Sequence, residues 1–187
     1  MRCVANKRFR FFLLLSLIWM GVIFWKSSQP YAQQDLKPWM STLISEETLL
    51  GLLPHARFTY DGDAVTYLKP YGFVEFFIRK GAHITEYFIL CFFLWQTYAS
   101  TKLSRFAVYV LAAVTAVLYA ASDEWHQTFV PNRTGHPIDV GMDSVGVVLA
   151  LLILGAWQRR QAKRRRAKKL SRLSWSRPHL VDSEKRP

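Results

Sequence analysis

The sequence predicts an all-α integral membrane protein, a bundle of four transmembrane helices with both termini in the cytoplasm. Two observations support this prediction. Hydrophobic residues make up 51% of the 187 residues and lie in long unbroken runs rather than at the spacing of amphipathic helices. The basic residues are segregated, because residues 158–187 contain 12 Lys and Arg against two acidic residues and so supply +10 of the net charge of +12.

The composition excludes several other classes of protein. Nine glycines, two cysteines and 15% aromatic residues do not suit a collagen-like, disulfide-stapled or fully disordered chain. Cys3 lies in the basic N-terminus and Cys91 within an apolar run, so we expect them at different depths and unpaired. A single large soluble core is disfavoured by the unbroken apolar runs.

The first apolar segment covers residues 11–25 and follows Arg2, Lys7, Arg8 and Arg10. It resembles a signal sequence, but no small-x-small cleavage site follows, so we interpret it as an uncleaved signal anchor. The other segments cover residues 81–99, 106–122 and 138–157. Each is near the lower end of the roughly 17–25 residues that cross a bilayer as a helix. Tryptophans near the segment ends favour a membrane interface: Trp25, Trp95, Trp125 and Trp157.

Loop charges predict the orientation, since cytoplasmic loops are enriched in Lys and Arg. The N-terminus, the turn at 100–105 and the tail are basic, whereas residues 123–137 carry one Arg and two acids. Residues 26–80 carry six basic and six acidic residues. The predicted organisation in a multi-pass protein of the cell membrane is a cytoplasmic N-terminus with the first helix (1–26), an external connection (27–79), a three-helix core (80–157) and a basic cytoplasmic tail (158–187).

The connection and the tail carry secondary signals. Ser45, followed by Glu46 and Glu47, predicts the capped start of a short helix. The sequence does not choose among three roles for the connection that contains this helix: a lid, an interfacial anchor or a spacer. Basic clusters can bind nucleic acid. Because this one directly follows a transmembrane segment, we instead expect it to attract anionic lipid, and we expect no nucleic-acid partner.

Polar residues cluster at the ends of three of the predicted helices, where charge in a bilayer is costly. Lys80, His83 and Glu86 recur every three residues and share a helix face. The third segment ends in Asp123, Glu124, His126 and Gln127, and the fourth begins with Asp139 and Asp143. Gly146 and Ala150 continue that stripe with small side chains, which lets a neighbouring helix approach closely. The predicted topology places all three clusters near the external face.

Three spaced motifs resemble the VanZ-like membrane protein family. They are Lys80-x-x-His83-x-x-Glu86-Tyr87, Ser122-Asp123-Glu124-x-His126-Gln127 with Arg133 six residues on, and Asp139-x-x-x-Asp143-x-x-Gly146. The resemblance covers residues 75–157 and, by position, the first helix. It implies a small integral membrane protein, in a family named for a member associated with resistance to the glycopeptide teicoplanin.

Three hypotheses for the polar clusters stay open. An enzyme acting on a phosphate-bearing envelope lipid or lipid-linked wall precursor would use general acid–base or metal chemistry, with candidate catalytic residues His83, Glu86, Asp123, His126 and Asp143. Its candidate substrate-binding residues are Lys80, Glu124, Gln127, Arg133 and Asp139. A binding protein would hold an envelope lipid, precursor or glycopeptide without turnover. A structural ion-pair network is the third hypothesis, although the acids outnumber the bases. The identity of any metal or other cofactor stays open.

Overall fold

The computed structural model describes residues 7–131, 133 and 135–175. This part of the chain is mostly helical and contains one β-hairpin. In chain order its elements are α1 (Lys7–Ser27), α2 (Tyr31–Gln34), α3 (Lys37–Leu43), α4 (Glu46–Leu52), β1 (Arg57–Tyr60), β2 (Asp63–Thr66), α5 (Pro70–Ala99), α6 (Arg105–Gln127) and α7 (Pro137–Trp175).

Three of the described helices are long and apolar enough to cross a membrane: α1, α6 and residues Pro137–Leu170 of α7. Their large apolar side chains are exposed in the isolated chain, as expected of surfaces that face lipid. Examples are Phe11, Leu14, Trp25, Phe106, Leu118, Val148 and Leu152. The predicted membrane-helix character is therefore confirmed for three of the four apolar segments.

The remaining apolar segment lies in α5, which begins at Pro70 rather than near residue 81. Its polar groups meet α1 instead of lipid. Arg8 Nη2 donates to Gln96 Oε1 at 2.7 Å, Trp19 Nε1 donates to the Glu86 carbonyl at 2.9 Å, and Lys26 pairs with the Glu86 carboxylate. With polar and charged residues spread along its length, α5 is not among the described helices that are apolar enough over a full span to cross a membrane.

Small residues set how closely the helices pack. Ala112, Ala116 and Ala120 recur every four residues on α6 and are fully buried. On α7, a Cβ atom added at Gly146 would lie 2.1 Å from the carbonyl oxygen of Ile84. The backbones of α7 and α5 therefore touch at this glycine, which confirms the close approach predicted from the Gly146 and Ala150 stripe.

The 27–79 connection is structured. Ser45 caps α4 by accepting a hydrogen bond from the Thr48 N–H, as predicted. The antiparallel hairpin of β1 and β2 was not predicted, and the all-α description leaves it out. It turns at Asp61 (φ 50°) and Gly62 (φ 88°), the left-handed pair typical of a two-residue Asp-Gly turn. Phe58 of β1 packs edge-on against Phe73, Phe76 and Phe77 of α5, which fixes the hairpin over the start of that helix.

The chain divides into two compact units, one up to Leu151 and one from Leu152 onward. The first holds every residue of the candidate site described below. Within the second, α7 continues through the start of the predicted basic tail to Trp175, and the basic residues between 159 and 169 are exposed.

Candidate functional site

Polar side chains from α5, the end of α6 and the start of α7 converge in the first unit. Four carboxylates at the end of α6 and the start of α7 are buried. Asp143 is fully buried, and Asp123, Glu124 and Asp139 are 3%, 4% and 8% exposed. Such burial is costly for a charged group without a partner, so the surroundings of each carboxylate decide what the site can do.

An inner cluster consists of His83, Glu124 and Asp143, each from a different helix. Each offers a ligand atom, and these atoms all lie within 4.8 Å of one another. His83 Nδ1 is 3.3 Å from Asp143 Oδ1, but the pair is not aligned as a hydrogen bond, and neither Asp143 oxygen accepts one from any described residue. Glu124, in contrast, accepts from Gln127 Nε2 and from the His136 backbone N–H, both at 3.1 Å.

Asp139 is fully engaged beside this cluster. Lys80 forms an ion pair with it, and the Tyr60 hydroxyl donates to the same carboxylate oxygen. Burial, followed by the hydrogen bond to Asp139, raises the pKa of Tyr60. The phenol therefore stays protonated and acts as a donor, which ties the hairpin to α7.

The other candidate catalytic residues lie outside the inner cluster. Glu86 points to α1 and pairs with Lys26 rather than orienting His83. The His126 ring stacks on Phe24 with centroids 4.4 Å apart. Asp123 accepts from Gln127 Nε2 at 3.1 Å through one oxygen, while its other oxygen has no hydrogen-bond partner among the described residues.

A polar pocket of about 390 Å³ opens beside these groups. The hairpin, α5 and the loop before α7 contribute most of its wall, and four basic side chains point into it. Its charged and titratable lining residues are Tyr31, Lys37, Tyr60, Asp61, Asp63, Glu75, Arg79, Lys80, His83, Arg133, His136 and Asp139. The volume falls in the range of small-molecule sites.

The polar pocket has four Lys or Arg and four Asp or Glu side chains in its lining, so its formal charges balance in number, but they are not all paired. Lys37 lies 3.8 Å from Glu75, Lys80 pairs with Asp139 and His136 contacts Asp61. Among the described residues, however, Arg79 and Arg133 pair with no carboxylate. One terminal nitrogen of Arg79 is buried without a hydrogen-bond partner there.

The two arginines lie near each other. Burial lowers the pKa of Arg133, and the charge of Arg79 lowers it further. Arg133 donates to the Ser27 carbonyl at 2.7 Å, and the Arg79 guanidinium stacks on Tyr31, 4.9 Å from the ring centroid. These neutral contacts position both groups and leave their positive charge for an anion.

A second cavity of about 300 Å³ shares Arg79 and His83 with the polar pocket. Most of its exposed surface is carbon, with Leu36, Ile78 and Ala82 in its lining, and Lys26, Gln29 and Gln34 complete the wall. Because the two cavities share Arg79 and His83, a polar space and a largely apolar space lie next to each other.

The fold and motif spacing agree with a comparison against protein families. The model of the family described as VanZ/LLP1 matches residues 12–158. The chain belongs to the VanZ/LLP1 family. The match is wider than the 75–157 region covered by the motifs, and it includes the connection that walls the polar pocket. No curated protein and no solved structure matches this VanZ/LLP1 chain.

Sequence reasoning missed several pocket residues of the VanZ/LLP1 chain, namely Tyr31, Lys37, Tyr60, Glu75 and Arg79. Two signals were present. Asp61-Gly62 between Phe58, Tyr60 and Val65 is a hairpin signature, and Arg79 precedes His83 by four residues and so shares its helix face. Nothing in the sequence signalled Tyr31 or Lys37, because they reach the pocket only through the path of the connection.

Proposed function

We propose that this VanZ/LLP1 protein binds the phosphate-bearing headgroup of an envelope lipid or lipid-linked wall precursor in its polar pocket. The observation that supports this most is the pair Arg79 and Arg133, two partly buried guanidinium groups that pair with no described carboxylate and line a pocket of about 390 Å³. Arginine matches phosphate oxygens with two parallel hydrogen bonds. A bound phosphate would give both guanidinium groups the direct anionic partner that no described carboxylate provides.

The neighbouring cavity favours a lipid over a soluble phosphate. An amphipathic ligand could place its headgroup between Arg79 and Arg133 and its first apolar segment beside Leu36, Ile78 and Ala82. A free phosphate would leave this carbon-lined space unused, and burial of apolar surface adds affinity.

The proposal includes four crossings and an external pocket in the cell membrane. At about 1.5 Å per residue, the 30 residues of α5 measure about 45 Å, enough for a fourth span. The basic turn at 100–105 and the basic tail belong inside by the positive-inside rule. This places the hairpin, the polar pocket and the inner cluster outside.

The topology is tested by cysteine labelling of intact cells. In a background with Cys3→Ser and Cys91→Ala, we expect Asp63→Cys, at the start of β2 directly after the hairpin turn, to react with a membrane-impermeant maleimide. Lys102→Cys, equally exposed in the turn between α5 and α6, is the matched control and should react only after permeabilisation. The reverse pattern would refute the external pocket.

Headgroup binding is tested in nanodiscs with phosphatidic acid and a polyprenyl diphosphate as probes and diacylglycerol as the uncharged reference. Arg79→Gln and Arg133→Gln should each weaken binding of the phosphate lipids about tenfold or more, since a hydrogen bond to a charged group contributes about 1.5–3 kcal/mol. Native mass spectrometry measures the bound fraction at each lipid concentration.

Lys69→Gln is the matched control for that experiment. Lys69 is exposed and absent from the pocket lining, and its substitution removes the same unit of charge. If Lys69→Gln weakens binding as much as Arg79→Gln, the attraction is general surface electrostatics and the proposed site is wrong. Inorganic phosphate competing as well as the lipids would refute the role of the apolar cavity.

Catalysis on the bound lipid is the second candidate function, because His83 both lines the polar pocket and belongs to the inner cluster. A histidine at this boundary suits general acid–base chemistry. Lipid mass spectrometry of cells with and without the gene separates the candidates. A new or missing envelope lipid that depends on His83 supports an enzyme, whereas an unchanged lipid profile supports binding alone.

Two roles follow from the family and the tail. Sequestering a lipid-linked wall precursor would connect the protein to glycopeptide resistance of the teicoplanin type. Exposed basic residues on the last part of α7 would hold anionic lipid at the cytoplasmic surface, at about 1 kcal/mol for each residue near it.

A further inference from the structure

We infer that the inner cluster of His83, Glu124 and Asp143 is a binding site for a divalent transition-metal cation, with Zn²⁺ and Mn²⁺ as its candidates. The three ligand atoms come from three helices and lie within 4.8 Å of one another. Imidazole nitrogen combined with carboxylate oxygen is a donor set for these ions.

The unpartnered state of Asp143 is the independent observation that points to a cation. Its side chain is 0% exposed, and neither of its oxygens accepts a hydrogen bond from a described residue. His83 Nδ1, 3.3 Å away, is also buried and without a hydrogen-bond partner there. A buried carboxylate and a buried ring nitrogen that face each other without bonding are suited to sharing a metal ion.

Neither neighbouring lysine satisfies Asp143. Lys80 is engaged by Asp139 and Tyr60, and Lys26 is engaged by Glu86. The carboxylates of Asp143 and Glu124 together carry two negative charges in a buried region, and a divalent cation balances both. Without it, the cost of burying them would have to be met by protonation.

The surroundings hold the ligands in orientation, as is usual at metal centres. Gln127 Nε2 and the His136 N–H each donate to one Glu124 oxygen and leave a lone pair on each. Two ligands of one ion lie at most about 4.4 Å apart at metal–ligand distances of roughly 2.0–2.2 Å. A pair at the 4.8 Å limit therefore closes by a small side-chain rotation.

The site has access to the polar pocket through His83, which lines it. A cation held by these three residues would therefore be reachable from that pocket. Metal binding does not depend on the proposed headgroup function, since all three ligands belong to the chain.

The test is metal binding to the full-length protein, purified in detergent and stripped with a chelator. Isothermal titration with Zn²⁺ and, separately, Mn²⁺ should give one tight site per chain for at least one of them, with elemental analysis confirming the stoichiometry. His83→Gln and Asp143→Asn should each weaken it by at least about tenfold. His55→Gln and Glu47→Gln, which remove ligand types outside the cluster and the pocket lining, should leave it unchanged.

Melting temperature supplies a second readout that does not depend on any activity. The metal should raise the melting temperature of the wild type, because it binds only the folded state, and should not raise that of Glu124→Gln. If no ion binds the folded wild type, or if binding survives both His83→Gln and Asp143→Asn, the inference is overturned. Phosphate-lipid binding that persists in chelator would leave the proposed function standing while the metal fails, so the two are distinguishable.

Discussion

Gly146→Ala is expected to destabilise the folded protein by about 3 kcal/mol or more, the upper end of what overpacking costs. The added Cβ would lie 2.1 Å from the Ile84 carbonyl oxygen and 3.0 Å from the Phe88 nitrogen. Both are backbone atoms of α5, so no side chain can rotate away. The two helices would have to separate, which would also displace Asp143, three residues earlier on α7, from His83.

The free energy of unfolding of this variant is measured by titrating SDS into the protein in a mild detergent. Gly141→Ala is the matched control, on the same helix and with no atom within 4 Å of the added Cβ. It should be neutral or slightly stabilising, because alanine is about 0.5–1 kcal/mol better than glycine inside a helix. Equal stability of the two variants would contradict the close contact between α5 and α7.

The same glycine shows what sequence reasoning can reach. The spacing of Asp139, Asp143, Gly146 and Ala150 marks one face of a helix, because residues three and four apart are neighbours on its surface. Small residues on that face imply close packing. Local periodicity was therefore sufficient to predict that this face of α7 is buried.

Which partner each polar residue meets was beyond the same reasoning. His83 and Glu86 are one turn apart on α5 and were expected to act together. However, α5 packs between helices, so His83 faces Asp143 of α7 while Glu86 faces Lys26 of α1. A three-residue interval leaves an angle of about 60° on a helix of 3.6 residues per turn. That angle is enough to send neighbours to different helices, and only the tertiary packing determines which.

The hairpin was missed for a different reason. Its Asp61-Gly62 turn is a local signal, but apolar runs dominate the sequence, and the strands were not recognised in a connection whose role stayed open between a lid, an interfacial anchor and a spacer. Its role in the site depends on a nonlocal contact, the hydrogen bond from Tyr60 to Asp139. Such a contact between residues far apart in sequence has no signature in the local pattern of either segment.

Lys80→Met is expected to destabilise the protein by about 3–5 kcal/mol, the usual cost of removing one partner from a buried ion pair. The side chains of Lys80 and Asp139 are only 16% and 12% exposed. Without the ammonium group, the Asp139 carboxylate would keep only the Tyr60 hydroxyl as a described hydrogen-bond donor. Methionine conserves the length of the lysine stem over the Tyr60 and Phe76 rings. The loss of stability therefore measures the effect of the removed charge rather than of lost packing.

The free energy of unfolding of Lys80→Met is measured by the same SDS titration, and two further variants test whether its loss comes from the ion pair. Lys37→Met removes a lysine whose side chain is 41% exposed and lies 3.6 and 3.8 Å from its carboxylate partners. It should cost less than about 1 kcal/mol, as exposed pairs do. Lys80→Met combined with Asp139→Asn should be more stable than Lys80→Met alone, because the second change removes the uncompensated charge. If the double variant is instead as unstable as the two single losses added together, the effect arises from separate packing defects and not from the ion pair that joins α5 to α7.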